Sequence, residues 1–508
     1  MALLSCSAAL LLCARASAQA GPGTPGADAL GFGAETQSEG DAANSGSGDD
    51  LGFGDVPSAA SPRGSLAPAP SPFHVHASLE VQSALRLSRP EPSRLAKLRQ
   101  VLIAGLELKQ PIGAGAMLRG RLGLRTEADF GYLTNRSAYD QETLDIYAYQ
   151  WLPAESYLAL SSGSFELSAG AQIVNFGQGE MLSVLDVVNP RDLREPLIAD
   201  VGQLRLPVLM TRASVTLEPL RIEAVVVHEP YFGLSPPPLG EFSPMRRLLL
   251  ESPGLGPALQ DRTLRNRHIP DRDLSEFGAS QPYLKLSLAL PSIDLSLLAG
   301  SPLDALGVPS LPPPAAFADP VIDLPRVHPR YAMLGHAGAL TLGAFMLRWE
   351  AVFDVRRPLT VQRTDTALPQ WQAARSHALR ALLGLTYVHG TSTSAAIEVT
   401  QSYLLDNPAR SPERHLTPLF PEEAPQLALR ASHSFLAERA SASALFLLIG
   451  VDPLNAWVAR AEVGYALFDD LRASLGFITY RPSPRFGYFY GLTHHERVFI
   501  QLRWDVLN

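Results

Sequence analysis

Cysteine is nearly absent from this chain of 508 residues: there are two, Cys6 and Cys13. Both fall within Met1 to Ala20, where an apolar core from Ala2 to Ala14 runs into small residues, Ala16-Ser17-Ala18 or Ala18-Gln19-Ala20. That is the pattern of a secretory signal, so the mature protein is expected to have no cysteine. The apolar core has no Lys or Arg before it, which points to a start further upstream. A secreted chain without disulfides must be held by a large core or by complete backbone pairing. Charge is also scarce: 18% of residues are charged and 46% hydrophobic, where soluble domains average about 25% charged. Lysine is nearly missing, with only Lys97, Lys109 and Lys285. Long apolar runs are absent too. The longest, such as Ala444 to Val451, fall well short of the roughly 18 residues a membrane helix needs. These absences exclude a helical membrane protein and leave a β-rich soluble enzyme or a membrane barrel. In the barrel, alternation hides hydrophobicity from any average.

What is present divides the chain in two. Residues 21–72 are rich in Gly, Ala, Ser, Pro and Asp and hold seven acids against one base, Arg63. Such a composition cannot bury enough apolar surface to offset chain entropy and predicts a disordered acidic leader in the periplasm. Within it Asp-x-Leu-Gly-Phe-Gly occurs twice, at Asp28–Gly33 and Asp49–Gly54. The two copies offer Leu30, Phe32, Leu51 and Phe53 as docking candidates for a periplasmic partner, against the simpler reading of low-complexity drift. Residues 73–508 carry 40 bases against 43 acids, which gives no basic footprint for nucleic acid.

From residue 73 the period becomes two. Val75, Ala77, Leu79, Val81, Leu85 and Leu87 fall on one face, and His76, Ser78, Glu80, Gln82, Arg86 and Ser88 on the other. Leu118, Leu122 and Leu124 alternate likewise with Arg119, Arg121, Arg125 and Glu127. Strands are expected at 75–88, 97–109, 116–128, 143–160, 165–175, 207–217, 220–229, 283–290, 293–301, 330–337, 342–354, 377–388, 393–405, 425–434, 440–450, 456–466, 471–481 and 494–506. Short and long connections alternate between them, as in membrane barrels with tight periplasmic turns and long outer loops. In lipid every backbone group must be paired inside the protein, so such strands span only as a closed antiparallel barrel. The expected fold is therefore an all-β transmembrane barrel of about eighteen strands, with sixteen as the alternative count. Pro153 cannot donate to a ladder and should give a bulge or a break in the fourth strand.

The segment Asn175-Phe176-Gly177-Gln178-Gly179-Glu180, then Asp186-Val187-Val188-Asn189-Pro190-Arg191-Asp192-Leu193-Arg194-Glu195, then Arg205-Leu206-Pro207 resembles an uncharacterised family of Gram-negative outer-membrane β-barrel proteins. In that family Trp-Gly is followed by Asn-Pro-Arg-Asp-Leu-Arg and an Arg-x-Pro step. Phe176 stands where the family has Trp, and Gln178 where it has an acid, so this chain looks like a divergent member. The resemblance implies a barrel in the outer membrane and carries no substrate. By its residues, the connection is too long for a passive turn. Asn189-Pro190 favours a turn, and the charges after it suit a short helix. This loop is expected to fold into the barrel and narrow the lumen. Asp186, Asn189, Pro190, Arg191, Asp192, Arg194, Glu195 and Arg205 are the candidate constriction residues, reaching wall groups such as Arg119, Arg121, Arg125 and Glu127. The plainer alternative is that these charges only pin the loop to the wall.

The last strand alternates Val498, Ile500, Leu502, Trp504 and Val506 in the manner of a barrel-assembly signal, although such signals commonly end in an aromatic residue and this chain ends in Asn508. His74, His76, His494 and His495 could meet at barrel closure but read as wet strand ends, without a metal-ligand framework. His389-Gly390-Thr391-Ser392 reads as a turn, not a nucleophile. No catalytic residue, metal or cofactor is expected. The partners expected are outer-membrane lipid, the barrel-assembly machinery and a periplasmic partner of the leader. The expected role is a channel or facilitator for a small or lipid-like compound, with a docking component of an export system as the alternative.

Overall fold

The computed structural model describes residues 71–507, apart from 89–91, 114, 196–203, 252–254, 260–261, 271–278, 312–316, 364–369, 408–415, 420–421, 452–455 and 484–488. The expected signal segment, the expected leader to residue 70 and the docking candidates Leu30, Phe32, Leu51 and Phe53 lie outside the described residues. The barrel strands are β1 (Phe73–Arg86), β2 (Leu95–Pro111), β3 (Ala116–Asp129), β4 (Ser156–Ser162), β5 (Phe165–Gln172), β6 (Val208–Leu217), β7 (Leu220–Val227), β8 (Gln281–Ala289) and β9 (Ile293–Gly300). They continue as β10 (Ala332–Leu342), β11 (Phe345–Arg363), β12 (Trp371–His389), β13 (Thr393–Leu404), β14 (Gln426–Phe435), β15 (Ala440–Ile449), β16 (Ala456–Ala466), β17 (Leu471–Arg481) and β18 (Arg497–Leu507). Each pairs antiparallel with the next. β1 pairs antiparallel with β18, with Val81 opposite Leu502, so the eighteen strands close into a ring. Closure leaves the ring no free sheet edge.

The alternation read in the sequence sorts the two faces. Leu122, Leu124, Leu158, Leu209, Leu284, Leu297, Leu334, Leu383, Val463, Leu475 and Ile500 are exposed on the outside. Glu127, Ser168, Ser214, Glu223, Glu350, Glu398 and Arg460, at the alternate positions, are buried on the inside. An apolar outer band around a polar interior is the surface of a membrane barrel.

Local chemistry corrects the expected boundaries in three places. The fourth strand begins at Ser156, not at 143. The preceding residues form helix α1 (Gln141–Tyr147), capped by the Asp140 carboxylate accepting from the Thr143 N–H at 2.7 Å, and a short strand Tyr149–Leu152 on β3. An Asp N-cap followed by Glu142 in the first turn was the available helix signal, and Pro153 lies in the break as expected. The turn between β10 and β11 sits at Gly343-Ala344, because Gly343 supplies the positive φ, +59°, that a tight hairpin turn uses. β11 and β12 also extend well beyond 354 and 377, through a bulge between Asp354 and Arg357. Leu416–Pro418 adds a third strand to this extension.

The long connections carry their own structure. Residues 228–280 include helix α2 (Met245–Glu251) and the strand Thr263–Pro270, which pairs parallel with Val321–His328 of the 301–331 connection. Their apolar faces meet through Leu249, Leu259, Leu264, Ile322 and Leu324.

Candidate functional site: a belt held inside the barrel

The described residues of the β5–β6 connection, 173–195 and 204–207, lie along the inner wall. Asn189 ties its two ends together. Its Oδ1 accepts from the Val174 N–H at 2.7 Å, and its Nδ2 donates to the Gln172 and Leu206 carbonyls, each at 2.9 Å. Pro190 supplies its carbonyl to the Leu206 N–H at 2.8 Å. Val174, Phe176, Val184, Leu185 and Val188 then pack against Val208, Met210, Val225, Tyr283, Met333 and Val352 of the wall. The belt therefore buries apolar surface inside the barrel, while the opposite face of the same strands meets lipid.

Two glutamates on the wall hold the belt by its backbone. Glu350, on β11, accepts from the N–H groups of Gln178 (2.6 Å), Gly179 (2.8 Å), Val184 (2.7 Å) and Leu185 (3.0 Å) and from the Ser183 hydroxyl (2.9 Å). Glu398, on β13, accepts from Glu180 (2.6 Å), Met181 (2.9 Å) and Leu182 (2.7 Å). Seven amides thus converge on two buried carboxylates. Successive backbone N–H groups make anion-binding concavities, and here the barrel itself supplies the anions. Hydrogen bonds to an ionised acceptor are about twice as strong as neutral ones, and a buried carboxylate requires such partners. Glu180 adds a side-chain contact to Arg348 and one to Thr386 Oγ1 at 3.2 Å.

The glycines make this approach possible. A Cβ on Gly177 would overlap the Ser183 hydroxyl and come within 3.0 Å of Glu350 Oε1. On Gly179 it would collide with the Leu182 carbonyl oxygen, and on Gly335 of β10 with Leu185 Cδ2. The Phe176 ring packs 6.1 Å from the Tyr283 ring.

The charged residues anticipated from sequence fall into two groups. Asp186 accepts from Arg191 Nη2 at 2.7 Å and Arg205 Nε at 2.9 Å, closing the belt's return on itself. Arg194 is buried and donates to Asp192 (2.6 Å), to Glu127 of β3 (2.8 Å) and to the Ile146 carbonyl (3.0 Å). The Tyr147 hydroxyl of α1 donates to the Arg194 carbonyl at 2.8 Å. Glu195 pairs with Lys97 of β2. Burial alone would lower the Arg194 pKa, but Asp192 and Glu127 outweigh it and hold the guanidinium above its ordinary value. Burial likewise acts to raise Glu195, and Lys97 and Arg99 reverse the direction.

The expected helix after Pro190 is not there. Arg191 bridges Arg205, and Asp192 bridges Leu234, so backbone partners on both sides hold this segment extended. Of the four wall groups expected to receive the loop, Glu127 does so directly, and Arg125 supports Glu127 at 2.6 Å. Arg119 pairs with Glu166 and Arg121 with Glu155, each at 2.9 Å, apart from the loop charges.

A second insertion reaches the far wall. Glu241, in the 228–280 connection, accepts from Arg86 of β1 and Arg497 of β18, each at 2.7 Å, and has His495 Nε2 at 3.6 Å. Phe242 packs on Val458, Ile478, Tyr480 and Leu492. Burial acts to raise the Glu241 pKa, but Arg497 and Arg86 prevail and lower it to about 2. Sequence reasoning did not single out Glu350, Glu398 or Glu241. Its available signal for the first two was an acid at an inward position of an apolar strand, since ionisable residues at membrane depth are costly and usually functional.

No protein-family model matches this chain, and no curated protein matches it in sequence. Among solved structures, it is similar to OccAB3 of Acinetobacter baumannii, with 11% identity, a TM-score of 0.46, and coverage of 85% of this chain and 98% of that one. OpdL of Pseudomonas aeruginosa aligns with 13% identity and a TM-score of 0.44 over 85% and 98%. The outer membrane protein opdK of Pseudomonas aeruginosa aligns with 10% identity and a TM-score of 0.44 over the same shares.

Proposed function

We propose that this barrel is an outer-membrane channel for a small or lipid-like compound, with its lumen narrowed by the belt of residues 176–206. The observation that carries this reading is the capture of seven belt amides by Glu350 and Glu398. A long connection left free would hang outside the barrel and leave the bore wide. Here two buried carboxylates spend their hydrogen-bonding capacity on keeping it within. Large barrels enclose a lumen, and a loop fixed along the wall sets what passes beside it. No chemistry on bound solute is required of the belt's side chains, whose charges are paired with one another or with the wall.

The test is single-channel conductance in planar bilayers, comparing the full chain with a deletion of residues 178–204 joined by a short Gly-Ser bridge. Folding of the deletion is checked by heat-dependent migration in detergent gels. Conductance should rise in the deletion. An unchanged conductance in a folded deletion overturns the constriction, and a wild-type barrel that carries no current overturns the channel.

A further inference from the structure

We propose that Arg212, Arg221 and Lys285 form a binding site on the inner wall for the oxyanion of a small solute, a carboxylate or phosphate group. This rests on the channel reading and names a solute class for it. The three residues lie on adjacent strands, β6, β7 and β8. In the register Ser214 faces Glu223, and Glu223 faces Lys285, with Arg221 opposite Thr216 and Ser287 in the next inward row.

The charges in this patch do not balance. One carboxylate, Glu223, serves both arginines: Arg212 Nε lies 2.8 Å from Oε1, and Arg221 Nε is 3.9 Å from Oε2. Arg221 Nη2 also donates to Ser214 Oγ at 3.1 Å. The acid is withdrawn and the bases are presented. The Glu223 side chain is 9% exposed, against 28% for Arg212 and 32% for Arg221. Lys285 then adds a third cation, which Glu223 and Glu350 favour only through space. Its Nζ sits 5.3 Å from the Phe176 ring centroid, and among the described residues it has no hydrogen-bond or ion-pair partner. The ring face offers a cation modest stabilisation, far less than a half-buried ammonium loses in leaving water.

A bound oxyanion resolves this imbalance. Guanidinium groups present paired donors that match carboxylate and phosphate oxygens, and an ammonium adds a point charge. Phe176 is fixed by the belt beside Lys285, so the site lies against the proposed constriction, and its apolar ring could pack against the body of the solute. The neighbouring belt amides of Gln178 and Gly179 are already committed to Glu350. The recognition therefore falls to the three basic side chains.

The test uses the purified full-length barrel in detergent, with 4-fluorobenzoate and neutral 4-fluorobenzyl alcohol as probes followed by fluorine NMR. Inorganic phosphate serves as competitor. Wild type should bind the benzoate and lose it to phosphate. Lys285→Gln should weaken benzoate binding roughly tenfold, the loss expected for one charge-assisted hydrogen bond, and should leave the alcohol unaffected. Lys285→Arg should retain most of the binding. Benzoate binding unchanged in K285Q overturns the site, as does equal binding of both probes to wild type. Should K285Q not fold, Arg221→Gln is measured against the same two criteria. Current is recorded on the same preparation. A wild type that binds benzoate without conducting keeps the site and removes the channel reading, so the two can fail separately.

Discussion

Replacing Glu350 with glutamine tests directly whether the belt is held by its backbone. Each oxygen of Glu350 serves a separate pair of amides, Gln178 and Gly179 on Oε1 and Val184 and Leu185 on Oε2. Glutamine keeps one oxygen and turns an NH2 donor toward the other pair, so two N–H groups lose their acceptor whichever way the amide settles. Hydrogen bonds to a charged group contribute about 1.5–3 kcal/mol each. Two lost bonds at the low end, with the remaining pair weakened by loss of charge, give about 3 kcal/mol. The ring of strand pairs is untouched, so this cost falls on local opening of the belt and not on the whole barrel. About 3 kcal/mol corresponds to roughly a hundredfold more frequent opening. Hydrogen–deuterium exchange read by mass spectrometry over peptides spanning 176–187 should show that acceleration in E350Q, with β16 and β17 unchanged. E398Q should shift the effect to Glu180, Met181 and Leu182. Unchanged exchange across 178–185 in a folded E350Q protein would refute the reasoning.

Two further outcomes follow from the same geometry. Glu241 is held at about 2 against an ordinary value of 4.5. A depressed carboxylate contributes its full stabilisation above the unfolded value and loses it as pH falls through the folded one. Docking of the 228–280 connection on Arg86 and Arg497 should therefore weaken between pH 4.5 and 2, by about 3 kcal/mol, and E241Q should remove that pH dependence from the exchange of peptides around residue 242. Gly179→Ala would drive a methyl group into the Leu182 carbonyl, a backbone atom that cannot turn away, and should cost the belt about 2 kcal/mol or more. Gly335→Ala meets only the end of the Leu185 side chain and should cost less, so protease nicking of the belt should order the variants as G179A above G335A above wild type.

The architecture was legible in the sequence because the signals for a barrel strand are local. Alternation over ten or so residues, as in Leu118 to Glu127, reports which face meets lipid whatever the neighbouring strand is, and tight turns recur where Gly or Pro interrupts it. Where local signals conflicted, the reading slipped. Residues 141–147 took the Asp140 cap instead of the β pattern, and 191–195 was held extended by Arg205 and Leu234, partners that local charge spacing could not reveal. The extension of β11 past Arg356 needed β12 and Leu416–Pro418 alongside it.

By itself, then, the sequence determined a closed β-barrel of about eighteen strands with a charged long connection after the fifth, because periodicity and turn chemistry act between residues near in the chain. Only the tertiary structure decided how that connection is held. Glu350 and Glu398 lie more than 160 residues from the amides whose hydrogen bonds they accept, and Lys285 joins Arg212 and Arg221 only when β8 is set beside β7. A carboxylate recognises a backbone N–H without regard to side-chain identity, so the contacts that hold the belt leave no residue pattern in the segment they bind.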